Sequence, residues 1–352
     1  MPSLAEIVAD AHGRTGVPGV AAALRRDGEL TACANGELVL GSGTPVEVDT
    51  PFRIASISKP FTSALALSCL PLDAPLAAWL SHTAGFRCES EEPLPAGAEG
   101  LWSYSNAGYW AAGRAVEAAC GVAFEDAMRE RVLEPLGLTA TGYEEPARAA
   151  RGHLQEGETG HRAVLEDAYP VARRPSGGLW STVGDLVAFG AAQLAAGGPQ
   201  FEPRAEALGA RYALGWWTRE RADGATVLDH EGSVAGYQSL LMLVPEERTV
   251  LAVLTNSWRG SGLIRRVVEG LGLWPAQPAP AAGVDGRYEL DGSAAVVAGS
   301  NVTEIETDPV TGALRSVRYP VLPEATLMSH RVDFPREGLA RIGWIVLPRV
   351  GP

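Results

Sequence analysis

A single lysine serves the whole chain. Lys59 is the only lysine among 29 Lys and Arg residues, so arginine carries every other fixed positive side chain. A guanidinium stays protonated near neutral pH, whereas a buried or charge-crowded ammonium can lose its proton. A lysine kept at one position only is expected where arginine cannot serve, as an ammonium that can give up its proton, rather than as a plain surface charge or the partner of a buried carboxylate. Its surroundings show what shares the site: Ser56-Ile57-Ser58-Lys59 is a Ser-x-x-Lys tetrad, and the apolar stretch 61–70 that follows has helical length. Ser56 then stands at a helix N-terminus with Lys59 one turn on along the same face. Lys59 reads as a proton acceptor and Ser56 as the hydroxyl it activates.

Composition narrows the classes open to such a site. At 352 residues, 46% hydrophobic and 20% charged, the chain can bury a sizeable core in one large domain or two. A net charge of −13 argues against nucleic-acid and anionic-membrane partners, which require basic patches. The first residues lack a basic n-region followed by a long apolar run, and no stretch of about 18 apolar residues occurs, so a cytoplasmic location without a membrane span is expected. Cys33, Cys69, Cys88 and Cys120 lack Cys-x-x-Cys spacing, and the six histidines include no His-x-x-x-His pair. Reduced thiols, no metal and no cofactor are therefore expected.

Along the chain, residues 3–15 read as an amphipathic helix ending near Gly13. Runs 17–24 and 30–34 flank the turn Arg25-Arg26-Asp27-Gly28, and runs 240–244 and 249–254 flank Pro245-Glu246-Glu247-Arg248; both read as hairpins. Residues 71–103 are rich in Pro, Gly and polar turns. Helices are expected at 107–120 (closed by Gly121), at 124–133, after Thr182 (with Asp185 in capping-box spacing) and at 263–271. Pro175-Ser176-Gly177-Gly178 reads as a loop. Helices with antiparallel hairpins, lacking regular βαβ alternation, give an α/β (α+β) fold. Residues 274–282 form a Pro-rich linker that ends a first domain at 1–273. In 283–352, β-prone runs at 287–290, 301–306, 314–319 and 342–347 read as a small all-β, barrel-like domain.

Three short motifs occur in order: Ser56-x-x-Lys59, Tyr104-Ser105-Asn106 and His230-Glu231-Gly232. A serine hydroxyl is a poor nucleophile until a base removes its proton. Two side chains compete for that role: Lys59 once neutral, and Tyr104 once a phenolate, whose ordinary value near 10 a neighbouring ammonium would have to lower. Asn106 offers an amide to fix Lys59 or a substrate carbonyl. His230 also suggests a Ser-His-Asp triad, but no Gly-x-Ser-x-Gly elbow surrounds any serine.

In this order the motifs resemble the serine β-lactamase and penicillin-binding-protein superfamily, in particular its class C-like branch of esterases and D-amino-acid peptidases. The likeness covers about residues 5–273, and Ser81-His82-Thr83-Ala84-Gly85, Glu134-Pro135-Leu136-Gly137 and Pro175-Ser176-Gly177-Gly178 are similar to further landmarks of that branch. The resemblance implies a β-lactamase/transpeptidase-like fold, an antiparallel sheet with flanking helices and a helical lobe. It implies Ser56 as nucleophile, Lys59 as base, and Tyr104 as proton shuttle to the leaving group and base for deacylation. His230 would support Tyr104 and a substrate carboxylate electrostatically. Gly232 would line the substrate site, and the N–H of Ser233 would join that of Ser56 in an oxyanion hole, where each donor is typically worth about 3 kcal/mol. The last 70 residues resemble the lipocalin-like β-domain that some members append.

Two departures bear on substrate. Tyr104 follows Ser56 by only 48 residues, where the family usually carries a longer helical insertion. His230 stands where many relatives carry the lysine of Lys-Thr-Gly, which counts against a dedicated β-lactamase. The expected activity is that of a serine hydrolase forming an acyl-enzyme on Ser56 from a small-molecule or peptide ester or amide, D-configured residues included. The alternatives are an acyltransferase or thioesterase-type transacylase using the same acyl-enzyme, and a non-catalytic binding protein on the same fold. The oligomeric state is left open.

Overall fold

A computed structural model describes residues 2–156, 160–164 and 169–276, and the backbone of the strands between 286 and 351. Ser3 caps the first helix reciprocally with Glu6, and α1 (Leu4–Thr15) ends at Gly16 in the left-handed region (φ 64). The helix passes the stop expected at Gly13 because the left-handed C-cap falls three residues later. β1 (Gly19–Arg26) and β2 (Glu29–Gly36) form the expected hairpin, with positive φ at both Asp27 and Gly28. Arg25 and Arg26, read as turn residues, belong to the strand.

β3 (Phe52–Arg53) leads through a 3-10 turn, Ala55–Ile57, into α2 (Ser58–Cys69). The segment read as turns holds α3 (Ala74–Leu80) and a hairpin of β4 (Phe86–Arg87) and β5 (Ser90–Pro93). Next come α4 (Asn106–Cys120), closed by left-handed Gly121, and α5 (Phe124–Met128), which continues as a π turn to Leu133. After the hairpin of β6 (His153–Glu156) and β7 (Gly160–Ala163), residues read as a loop make a single helical turn, α6 (Arg174–Gly177). β8 (Trp180–Ser181) pairs with β3 and precedes α7 (Val183–Ala196). Thr182 caps α7 by accepting from Asp185 N–H, but the Asp185 carboxylate accepts from Ala140 and Thr141 instead of closing a capping box.

The remaining strands are β9 (Ala205–Ala207), β10 (Ala210–Tyr212), β11 (Trp217–Glu220), β12 (Thr226–Val234), β13 (Tyr237–Val244) and β14 (Thr249–Thr255), followed by α8 (Gly260–Gly270). Eight strands form one antiparallel sheet in the order β2-β1-β14-β13-β12-β11-β10-β9. Its central strands are buried on both faces. In β14, Val250, Ala252 and Leu254 join the core beneath α2, α4 and α7, while Leu251 and Val253 join the core beneath α1 and α8. That double burial is why β1, β13 and β14 read as continuous apolar runs and not as alternation.

The described strands beyond residue 285 make a sheet of their own. β15 (Gly286–Leu290), β16 (Ser293–Ala298), β17 (Asn301–Thr307), β18 (Leu314–Pro320), β19 (Val332–Arg336), β20 (Leu339–Ile342) and β21 (Ile345–Gly351) are ordered β18-β17-β16-β15-β21-β20-β19, all antiparallel. The run read as one strand at 342–347 spans two, the end of β20 and the start of β21. Most of the linker read at 274–282 lies outside the described residues. Among the described residues no helix is long and apolar enough to cross a membrane.

Candidate active site

The Ser56 turn is held from three sides. The β3–β8 pair fixes the chain on its N-terminal side. Ala55 adopts φ 48, a left-handed conformation that costs a non-glycine residue about 1–2 kcal/mol, and presents Ser56 at the start of α2. On the third side lies β12. β11 pairs only with Thr226–Asp229, so His230–Val234 runs past it and packs against the Ser56 turn. The approach is close: a Cβ on Gly232 would stand 2.1 Å from the Ile54 carbonyl and 2.3 Å from Ser239 Oγ. Gly232→Ala must therefore push β12 off the turn. Since a displacement of about 1 Å at reacting groups can cost about 10²-fold, acylation by an activated ester should fall by about that factor, read as the burst rate, while the fold persists by circular dichroism.

Ser56, Lys59 and Tyr104 come together. Lys59 Nζ lies 3.0 Å from Ser56 Oγ, and Tyr104 Oη donates to the same oxygen at 2.7 Å. Lys59 is fully buried and also donates to the Ser176 carbonyl at 2.8 Å. That carbonyl is placed by α6, which is fastened to α2 by Thr62 Oγ1 on Pro175 O and to α4 by Trp110 Nε1 on Ser176 Oγ. Burial lowers Lys59 to about 7, against the opposing pull of nearby Cys88 and Glu89. Burial pushes Tyr104 the other way, well above its ordinary value, and its bond to Ser56 only partly offsets this. Of the two candidate bases, the neutral amine is thus accessible near pH 7 and the phenolate is not. Acylation kcat/KM should rise with pH through about 7, falling about tenfold per unit below it as the ammonium forms. A profile flat from pH 5 to 9 would exclude Lys59 as the titrating base.

Tyr104 is positioned by a residue whose role its sequence pattern left unassigned. The main chain of His82 accepts from Ser103 N–H, and its Nδ1 accepts from Ser105 N–H, at 3.0 Å each. Its ring lies 4.4 Å from that of Tyr104. Ser105 in turn caps α4. Nδ1 accepts, so the ring proton is on Nε2, and burial depresses His82 well below its usual value.

The other expected residues are placed differently. Asn106 opens α4, and its amide donates to Glu89 Oε1 in the turn of the β4–β5 hairpin. His230 is buried and driven down to about 3, by burial first and by Lys59 second, so near neutral pH it is an uncharged imidazole. Its Nδ1 donates to the Glu231 carbonyl at 2.7 Å, which leaves Nε2 to accept from Tyr212 Oη at 3.3 Å. Asp229 is committed to a buried pair with Arg219 at 2.7 Å. A Ser-His-Asp triad is therefore not assembled around His230. Ser233 follows Gly232 on β12, with its hydroxyl accepting from Gln238. Cys88, near the site, is held as a thiol by burial, which raises it to about 12. Among the described residues no group of His, Cys, Asp and Glu side chains could hold a metal ion.

The beta-lactamase family model matches residues 4–268. The chain belongs to the beta-lactamase family. Within that family it is 29% identical to penicillin-binding protein 4 of Amycolatopsis lactamdurans over 360 aligned residues, covering 79% of this chain and 94% of the relative. Among solved structures it is similar to SurE with D-Leu, at 22% identity and a TM-score of 0.73 over 99% of this chain and 98% of the other. It is also similar to the D-amino acid amidase of Ochrobactrum anthropi SV3 complexed with L-phenylalanine amide, at 22% identity and a TM-score of 0.62 over 76% and 97%. These two likenesses support the antiparallel sheet with flanking helices expected from the motifs.

Proposed function

We propose that this protein is a serine hydrolase that forms an acyl-enzyme on Ser56. The observation that carries the reading is one oxygen, Ser56 Oγ, held between a buried amine at 3.0 Å and a phenol at 2.7 Å. Neutral Lys59 takes the hydroxyl proton as Oγ attacks the acyl carbon. The N–H groups of Ser56 and Ser233 receive the developing oxyanion. Tyr104, a neutral phenol, gives its proton to the leaving group and is reprotonated from Lys59. In deacylation the same relay runs backward, with water in place of the leaving group.

The substrates are esters and amides, including those of D-configured residues. The names of the solved relatives, one with D-Leu and one a D-amino acid amidase, favour this class. Intact-mass analysis with a fluorophosphonate, then with p-nitrophenyl esters, D- and L-amino-acid amides and β-lactams, tests the reading. A covalent adduct mapped to Ser56 is expected. A native protein that no probe labels on Ser56 overturns it. Turnover of the acyl-enzyme by an added amine in preference to water would assign acyl transfer.

We also propose the division into a catalytic domain at 1–273, a linker at 274–282 and a lipocalin-like β-domain at 283–352. The family match ends at residue 268, all three motifs precede Trp274, and the strands of 286–351 pair among themselves. Protein truncated after residue 273 should fold and still take the probe on Ser56. A folded truncation that does not label would place part of the site in the C-terminal strands.

A further inference from the structure

The helices that carry the catalytic groups end side by side. Lys59 is the second residue of α2 and Cys69 its last; Tyr104 and Asn106 lead into α4, and Cys120 is its last. The two helices pack together, and at their C-terminal ends Cys120 Sγ stands 3.2 Å from Cys69 Sγ. Both residues are partly exposed, and both thiols are free. Two sulfurs in such contact need to close by only about 1 Å to reach the bonded separation of about 2.05 Å. Cys33 lies on β2 and Cys88 in the β4–β5 turn, on other elements.

We propose that Cys69 and Cys120 are a thiol pair that forms a reversible disulfide clasp between α2 and α4. The oxidant is a small-molecule disulfide of the glutathione type. The thiolate of one cysteine attacks it, forming a mixed disulfide and releasing one external thiolate. The thiolate of the other attacks the protein sulfur of that mixed disulfide and releases the second. One external disulfide becomes two thiols, the two protein thiols become one disulfide, and the two protein protons pass to the released thiolates. Burial and the neighbouring Cys69 sulfur raise Cys120 above its ordinary value, and nearby Arg131 only partly offsets this. Ser68 Oγ donates to the Leu65 carbonyl and lies 3.5 Å from Cys69 Sγ, from which it can accept.

The bond closes the 51-residue span from Cys69 to Cys120, which holds Tyr104, while Lys59 lies outside it on the same helix as Cys69. A loop of this size is among those that gain most from closure. The clasp lies ten residues of helix, about 15 Å, from the lysine, so it steadies the helix pair without touching the reacting atoms.

The test is full-length protein exposed to oxidised glutathione, then digested without reduction for peptide mapping. The expected result is a loss of two hydrogens in intact mass, a Cys69–Cys120 peptide, and a thermal midpoint higher by about 3–7 °C. The midpoint should return on reduction, and the burst rate with p-nitrophenyl acetate at 25 °C should change by less than about twofold. Cys69→Ser and Cys120→Ser should each take one glutathione on the remaining partner and show no gain in midpoint. Glutathione retained on both cysteines of the unaltered chain, a bond to Cys33 or Cys88, an unchanged midpoint on oxidation, or a gain that survives either single substitution would each overturn the clasp.

Discussion

Lys59→Arg should cost about 10²–10⁴-fold in acylation by an activated ester, the range for loss of a general base, and should be as damaging as Lys59→Ala. The charge is kept in the arginine variant, but a guanidinium cannot give up its proton near neutral pH. The same residue should be a liability to the fold. Its folded value of about 7, set by burial, lies well below the ordinary 10.5. Between those two pH values the unfolded chain holds a proton that the folded protein has released, so stability rises with pH across that window. Below about pH 7 both states are protonated and the whole cost of the buried ammonium, about 5 kcal/mol, is present. Lys59→Met should therefore be inactive yet melt higher than wild type at pH 6, with the difference shrinking toward pH 10. Burst kinetics and thermal unfolding at the two pH values check both halves. Near-wild-type turnover in the arginine variant would remove Lys59 from the base role. A methionine variant no more stable than wild type at pH 6 would show that the lysine is solvated.

The parts of this site that were legible in the sequence are those whose chemistry depends on residue type. One lysine in a chain of arginines, a serine three residues before it and a tyrosine farther on point to proton transfer at Ser56 without a structure. What stayed hidden depends on main-chain groups and on burial. The Ser176 carbonyl that anchors Lys59 has no residue signature, and the loop read around it is one helical turn made by packing between α2 and α4. His82 was visible only as part of a pattern; its hold on both neighbours of Tyr104 exists because α3 and the approach to α4 meet in space. His230 reads as a charge in sequence and is neutral in the fold, because burial near Lys59 outweighs its bond to the Glu231 carbonyl. Asn106 reads as an amide for Lys59 or a substrate carbonyl, and a hairpin turn 17 residues earlier adds Glu89, which the sequence pattern did not point to, as a partner of that amide. The fold shows the same division. Apolar runs buried on both faces gave β1, β13 and β14, whereas α3 and the β4–β5 hairpin lie among prolines and glycines that read as turns.

Tyr104→Phe separates the two halves of the reaction. The substitution keeps the ring, and with it the packing against His82 at 4.4 Å, while removing the hydroxyl that donates to Ser56 Oγ. Lys59 still lies 3.0 Å from that oxygen, so the nucleophile can still be deprotonated. p-Nitrophenolate departs without a proton, so acylation by p-nitrophenyl acetate should suffer least. Deacylation should suffer most, because water attacking the acyl-enzyme loses the group that passes its proton toward Lys59. The variant should show a burst and then stall, with the acetyl adduct on Ser56 as the main species by mass during turnover and a steady-state rate lower by about 10²–10⁴-fold. With an amide substrate it should stop one step earlier: the leaving amine needs a proton that phenylalanine cannot give, so no adduct should build up. Because burial holds the wild-type phenol protonated, raising the pH from 7 to 9 should not rescue the variant, since the missing group is a relay and not a charge. Steady-state ester turnover at the wild-type rate without an accumulated adduct would leave Tyr104 as a packed aromatic and return deacylation to Lys59 alone.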